Sequence, residues 1–192
     1  MNISLRWLNQ YLSPGDLGAD EAEAVLTAAG LPIESRTVRG DDVVLDVEVT
    51  SNRGDCLGHV GIAREIAANR QGGVRRELAP PEDAEPGVRG RPVTNDLSLE
   101  NREPGRCPLF TARLIRGVKI GPSPAWLREA LEAVGQRSIN NVVDVTNFIT
   151  MELGNPCHVF DYRKLAGGRL VVRFAEPGER VRTLYAGERY TL

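Results

Sequence analysis

Apolar positions change their period several times along the chain, and each change marks an element. Ile3, Leu5, Leu8 and Leu12, with Trp7 and Tyr11, recur at roughly helical spacing. They predict a short helix, broken by Pro14-Gly15. A second helix follows. Asp20 stands as its cap, Glu23 completes a capping-box pattern, and Val25, Leu26 and Ala29 form its apolar face before Gly30 and Pro32 end it. Over residues 43–50 the period falls to two. Leu45, Val47 and Val49 alternate with Asp46, Glu48 and Thr50, the pattern of a strand with one wet face. Asn52-Arg53-Gly54-Asp55 reads as a turn, and residues 57–68 as a third helix with Val60, Ala63, Ile66 and Ala67 apolar.

Residues 72–105 break the periodicity. Pro80-Pro81, Pro86, Pro92 and Pro104 interrupt any regular element, so this reads as an extended connection with a short strand near residues 97–99. Beyond it the pattern predicts a strand over 109–120. A helix over 125–134 follows, entered through Gly121-Pro122-Ser123-Pro124 and closed by Gly135. A further helix over 139–153 ends at Gly154. Strands at 170–174 and 180–184 flank Pro177-Gly178, which suits a hairpin turn. The expected class is α+β: a small helical domain with a strand over 1–71, a linker over 72–105, and part of a mixed α/β domain over 106–192. The chain stops at Leu192 with no closing element, which reads as a piece of something longer.

Composition narrows the classes. The chain has 192 residues, 41% of them apolar and 26% charged, with a formal net charge of -2. That supports a packed core and excludes a strong global field for nucleic acid or anionic membranes. RNA contacts would need a local patch or partner modules; no DNA partner is expected. No run is apolar enough to cross a bilayer, and the N-terminus lacks a signal-peptide pattern, so a cytoplasmic location is expected. The three cysteines, Cys56, Cys107 and Cys157, are too few and too scattered for a disulfide framework. Cys56 with His59, or Cys157 with His158, lacks the second ligand pair of a zinc site, so no metal is expected.

The densest polar chemistry lies on the 139–153 helix. Spacings of three and four place Asn140, Asp144 and Asn147 on one stripe, with Val142, Ile149, Leu153 and Val145 as the packing side. Thr146 and Asn147 are poor interior helix formers, because their side chains compete for backbone hydrogen bonds. One reading makes Asn140 or Ser138 a cap and Asp144 a brace for the first turns. The other takes the group together as fixed donors and acceptors facing a ligand. His158, between Pro156 and Phe160-Asp161, can orient a water or a ribose hydroxyl near neutral pH, Asp161 can tie down its loop, and Arg137 can meet a phosphate or carboxylate.

At these residues the chain resembles the N-terminal part of the bacterial phenylalanyl-tRNA synthetase beta subunit. The match runs through the opening Ile3-Ser4-Leu5-Arg6-Trp7-Leu8, the segment from Leu45 to Leu57, the Ser138 to Phe148 helix, and the loop from Pro156 to Asp161. The resemblance implies an alpha-beta heterotetramer that joins phenylalanine to its tRNA using ATP and magnesium, neither of them held by this chain. The beta subunit would contribute to assembly, tRNA binding and the hydrolytic editing of tyrosine wrongly attached to the tRNA. An apolar pocket rejects an added hydroxyl weakly, which is why editing is needed. By the same resemblance Arg137, Thr146, Asn147 and His158 fall in the editing pocket. Arg137 and His158 face the tRNA end or the attacking water; Thr146 and Asn147 face the aminoacyl group. The acidic residue that recognises the tyrosine hydroxyl would lie beyond Leu192. An oligonucleotide-binding-fold domain usually inserted before the Val43 strand is replaced here by residues 31–42. Two alternatives stand beside this reading: a free-standing aminoacyl-tRNA deacylase, and a non-catalytic RNA- or protein-binding module.

Overall fold

Ser4 ends one element and starts the next. In a computed structural model, which describes residues 1–69, 76–79, 92–182 and 189–191, Asn2–Ser4 is a strand (β1) and Leu5–Leu8 a one-turn helix (α1). The Ser4 hydroxyl caps that helix by accepting from Trp7 N–H at 3.1 Å. The single helix expected here is therefore divided. Ile3 sits opposite Leu45 in a ladder, and the chain after α1 tightens into a 3-10 turn at Asn9–Tyr11 before a two-residue strand, Leu12–Ser13 (β2).

The second helix, α2, spans Ala19–Ala28 with Gly18 as its N-cap. Asp20 does not cap it. Arg36 draws off the carboxylates of both Asp20 and Glu23, so the capping box gives way to an ion-paired cluster. Next come Ile33–Arg39 (β3) and Asp42–Val47 (β4), which pair antiparallel. With β1 on its other side, β4 becomes the centre of a three-stranded sheet in the order β1-β4-β3. The strand ends earlier than its alternation suggests, and Val44 and Leu45 are both buried. Helix α3 spans His59–Ala68, and Glu77–Leu78 (β5) pairs with β2. Helix α4 covers Ala125–Ala133, and α5 covers Asn141–Leu153, closed by Gly154 in the left-handed region at φ 70°.

These elements belong to one compact unit, Met1–Glu85 with Lys119–Val159. Its core gathers Ile3, Leu8, Leu26, Leu45 and Ile62, all inaccessible to solvent. Residues 119–159 fold with the N-terminal segment, so the compact units divide the chain differently from the domain limits read in the sequence.

The second unit is Pro86–Val118 with Phe160–Leu192. In it Ser98–Asn101 (β6) pairs parallel with Arg169–Val172 (β7), and Arg180–Arg182 (β8) pairs antiparallel with Arg189–Thr191 (β9). The Tyr162 hydroxyl donates to the Asp96 carbonyl at 2.7 Å, beside the buried Leu97. The turn at Pro177-Gly178 forms, with Arg173 paired to Glu179 at 2.8 Å, but the strands on either side take other partners, so among the described residues the expected hairpin is absent. The strand expected over 109–120 is also absent. No described segment supplies a ladder to its backbone, and Leu109, Ile115 and Ile120 stay exposed. Parts of the expected connection at 72–105 and of the strand at 180–184 lie outside the described residues. The class is mixed α+β, as the sequence predicts.

Candidate functional site

The N-terminus of α5 is built by side chains that satisfy backbone groups. Asn140 is the N-cap: its Oδ1 accepts from the N–H groups of Val142 and Val143, both at 3.1 Å. Asn141 bridges to the preceding loop. Its Nδ2 donates to the Lys119 carbonyl at 3.0 Å, and its Oδ1 accepts from Gly121 N–H at 3.1 Å. Asp144 is fully buried and accepts from the Ser123 hydroxyl at 2.5 Å, the Ser138 hydroxyl at 2.6 Å and Ile139 N–H at 2.8 Å. Burial opposes its ionisation, but hydrogen bonds from the two serines and from the Ile139 and Asn140 backbone outweigh that and hold its pKa below the usual carboxylate value. Asn140 and Asp144 are thus a cap and a brace, the plainer of the two readings the sequence allowed.

The packing face of α5 is not the expected one. Val145 and Leu153 are about half exposed. The helix turns Asp144, Phe148, Met151 and Glu152 inward instead. The reason is that the two carboxylates have partners waiting. Asp144 has its serines, and Glu152 accepts from the Tyr11 hydroxyl at 2.5 Å. Tyr11 itself accepts from Trp7 Nε1–H at 2.8 Å, and burial followed by the Glu152 bond pushes its pKa up.

The four residues expected to form a site lie on and around this helix. Thr146 and Asn147 are adjacent and partly buried; the Thr146 hydroxyl donates back to the Val143 carbonyl at 2.7 Å. Arg137 is exposed in the loop before the N-cap, and His158 is exposed in the segment after the C-cap. The helix between them has 13 residues, about 20 Å at 1.5 Å per residue. Arg137 and His158 therefore flank opposite ends of α5, with Thr146 and Asn147 near its middle. Asp161, in the second unit, gives its carboxylate to Arg163 at 3.1 Å, which lowers its pKa. A cleft of about 410 Å³ in the first unit is lined by Leu5, Arg6, Asn9, Leu17 and Asp41 among others, and by none of the four.

Among the described residues one cluster has cation-ligating chemistry: Asp55, Cys56 and Glu65. Arg53 fills it, pairing with Asp55 at 2.9 Å and Glu65 at 2.6 Å and reaching Cys56 Sγ at 3.0 Å. A guanidinium already supplies the positive charge, so the residues do not fit a metal. Burial pushes the Cys56 thiol up to about 11, so it is not a thiolate near neutrality.

The sequence did not single out the groups that hold α5 from the N-terminal side. The Trp7 ring stacks on His59, centroids 4.0 Å apart, and on Phe148 at 4.4 Å. His59 Nε2 accepts from Ser4 N–H at 3.2 Å, which leaves Nδ1 to donate to the Met151 carbonyl at 2.8 Å. A histidine on the apolar face of α3 was the available signal.

The B3/4 domain family matches residues 106–192. The beta subunit of phenylalanine–tRNA ligase from Rhodopirellula baltica is 47% identical over 97% of this chain and 26% of its own length. The beta subunit from Geobacter metallireducens is 51% identical over 77% of this chain and 18% of its own length, and that from Gloeobacter violaceus 50% identical over 78% and 18%. The chain thus spans about a quarter or less of the relatives it matches. Along nearly its whole length it is homologous to a portion of the phenylalanine–tRNA ligase beta subunits, and its residues 106–192 match the B3/4 domain family.

Proposed function

We propose that this chain forms part of the beta subunit of a phenylalanine–tRNA ligase, and that α5 with its flanking loops is one wall of a site that edits mischarged tyrosyl-tRNA. The observation that carries the reading is the 47% identity over 97% of the chain to a beta subunit. In this reading Arg137 meets the tRNA end, Thr146 and Asn147 contact the aminoacyl group, and His158 orients the water that cleaves the ester. The partners are an alpha subunit, in a heterotetramer, and tRNA; ATP and magnesium serve synthesis in the alpha subunit, and the location is the cytoplasm. The arrangement suits hydrolysis by water. Cys56, the buried cysteine, is protonated, and Thr146 spends its proton on the Val143 carbonyl, so neither is an activated nucleophile.

Residues 31–42, which hold β3 and the Gly40-Asp41 turn into β4, stand where the resemblance expects an inserted oligonucleotide-binding fold. The alignment to the Rhodopirellula baltica beta subunit runs across it. Recognition of tRNA in this reading rests on other parts of the subunit.

The test is deacylation of tyrosyl-tRNA by the whole beta subunit assembled with its alpha partner. His158→Ala is expected to slow hydrolysis by about 100-fold, the low end of acid–base or water-orienting contributions, and to leave phenylalanine attachment unchanged. Equal hydrolysis by the variant and the parent enzyme contradicts the assignment.

A further inference from the structure

Three groups from the N-terminal segment converge on the second half of α5. The rings of His59, Trp7 and Phe148 form a near-parallel stack, tilted by 21° and 16° at its two contacts, and Trp126 closes it edge-on against Phe148 at 5.5 Å. His59 Nδ1–H donates to the Met151 carbonyl. That carbonyl is one of the last four of the helix, which have no donor within it. Tyr11, itself held by Trp7 Nε1–H, donates to Glu152. Residues 148, 151 and 152 are therefore gripped by one connected set of side chains, immediately after Thr146 and Asn147 in the sequence.

We infer that Trp7 and His59 are positioning residues for the α5 site, fixing through Phe148 and Met151 the helix segment that carries Thr146 and Asn147. The inference rests on reading α5 as part of an aminoacyl-binding site. Its physical basis is that stacked rings and a carbonyl bond set both the rotation and the axial position of a helix. A rotation of α5 about its axis would move Thr146 and Asn147 together, and both the Phe148 stack and the Met151 bond oppose it. A residue that only fills volume would leave that rotation free.

The experiment uses the isotopically labelled chain, with Trp7→Leu to remove the stack, Trp7→Phe to keep it, and His59→Gln to keep one acceptor and one donor. Amide hydrogen exchange is measured over residues 145–151 and compared with that of α2. An adenosine carrying tyrosine through a non-hydrolysable 3′-amide serves as the ligand. Trp7→Leu is expected to speed exchange over 145–151 about tenfold more than in α2, reporting local opening rather than global loss, and to weaken ligand shifts at Thr146 and Asn147. Trp7→Phe should restore both. If exchange in α5 rises only as much as in α2, or Trp7→Phe behaves like Trp7→Leu, the positioning role is overturned. Should Trp7→Leu fail to fold, Phe148→Leu removes the same stack from the helix side. If the analogue binds no form of the chain, the functional reading falls, and exchange alone decides the positioning role.

Discussion

His59 and Asp144 show what a buried titratable residue does to the fold. Burial, the largest influence, lowers the His59 pKa to about 4, against an ordinary value of 6.5. The unfolded chain therefore binds more protons between about pH 4 and 6.5, and stability must rise with pH across that window. Full protonation would cost about 3 kcal/mol at 1.36 kcal/mol per unit. Urea unfolding from pH 4 to 7 should show that slope, and His59→Gln should flatten it. Asp144 acts in the same direction at lower pH. Its pKa is held below the usual carboxylate value, so its contribution is present above about pH 4 and is lost as pH falls through the folded value. Asp144→Ala leaves two serine hydroxyls and a backbone N–H without their acceptor, and about 3 kcal/mol of stability should go with it, measured by denaturant unfolding. That Asp144 braces the helix was legible from its place in the first turn. That Glu152 points inward was not, because its partner Tyr11 lies 141 residues away in sequence.

At the scale of elements, α4 and α5 were legible because proline, glycine and an asparagine cap punctuate them. Elements set by distant partners were not. The first predicted helix divided because Ile3 pairs with Leu45, and the strand over 109–120 has the right pattern but no described ladder partner. The junction of α3 with α5 was also hidden. A Cβ on Gly58 would lie 2.4 Å from Gly154 N, and one on Gly154 would lie 2.9 Å from the Leu57 carbonyl oxygen, with φ already at 70°. Two backbones meet where only glycine fits. Gly58→Ala should therefore destabilise the chain by about 2 kcal/mol through overpacking and shift the amide resonances of α5 near Met151. A neutral effect in thermal unfolding would contradict that close approach.

For the whole molecule, four ordered motifs in the sequence were enough to identify the family, and the relatives bear that out. The four proposed site residues rest on that resemblance alone. Single-chain spacing cannot say which side of α5 faces a ligand, and the apolar face read from the pattern proved to be partly exposed. The chain covers about a quarter of its Rhodopirellula baltica relative. It is expected to show no phenylalanine-dependent pyrophosphate exchange, since the proposed reading places synthesis in the alpha subunit. The most direct test of the central claim is a resonance-resolved titration of this chain with the 3′-amide tyrosyl-adenosine. The account predicts that Arg137, Thr146, Asn147 and His158 shift together along one binding curve while α2 stays unmoved. Shifts confined to other residues, or none of the four moving in a chain shown to be folded, would contradict it.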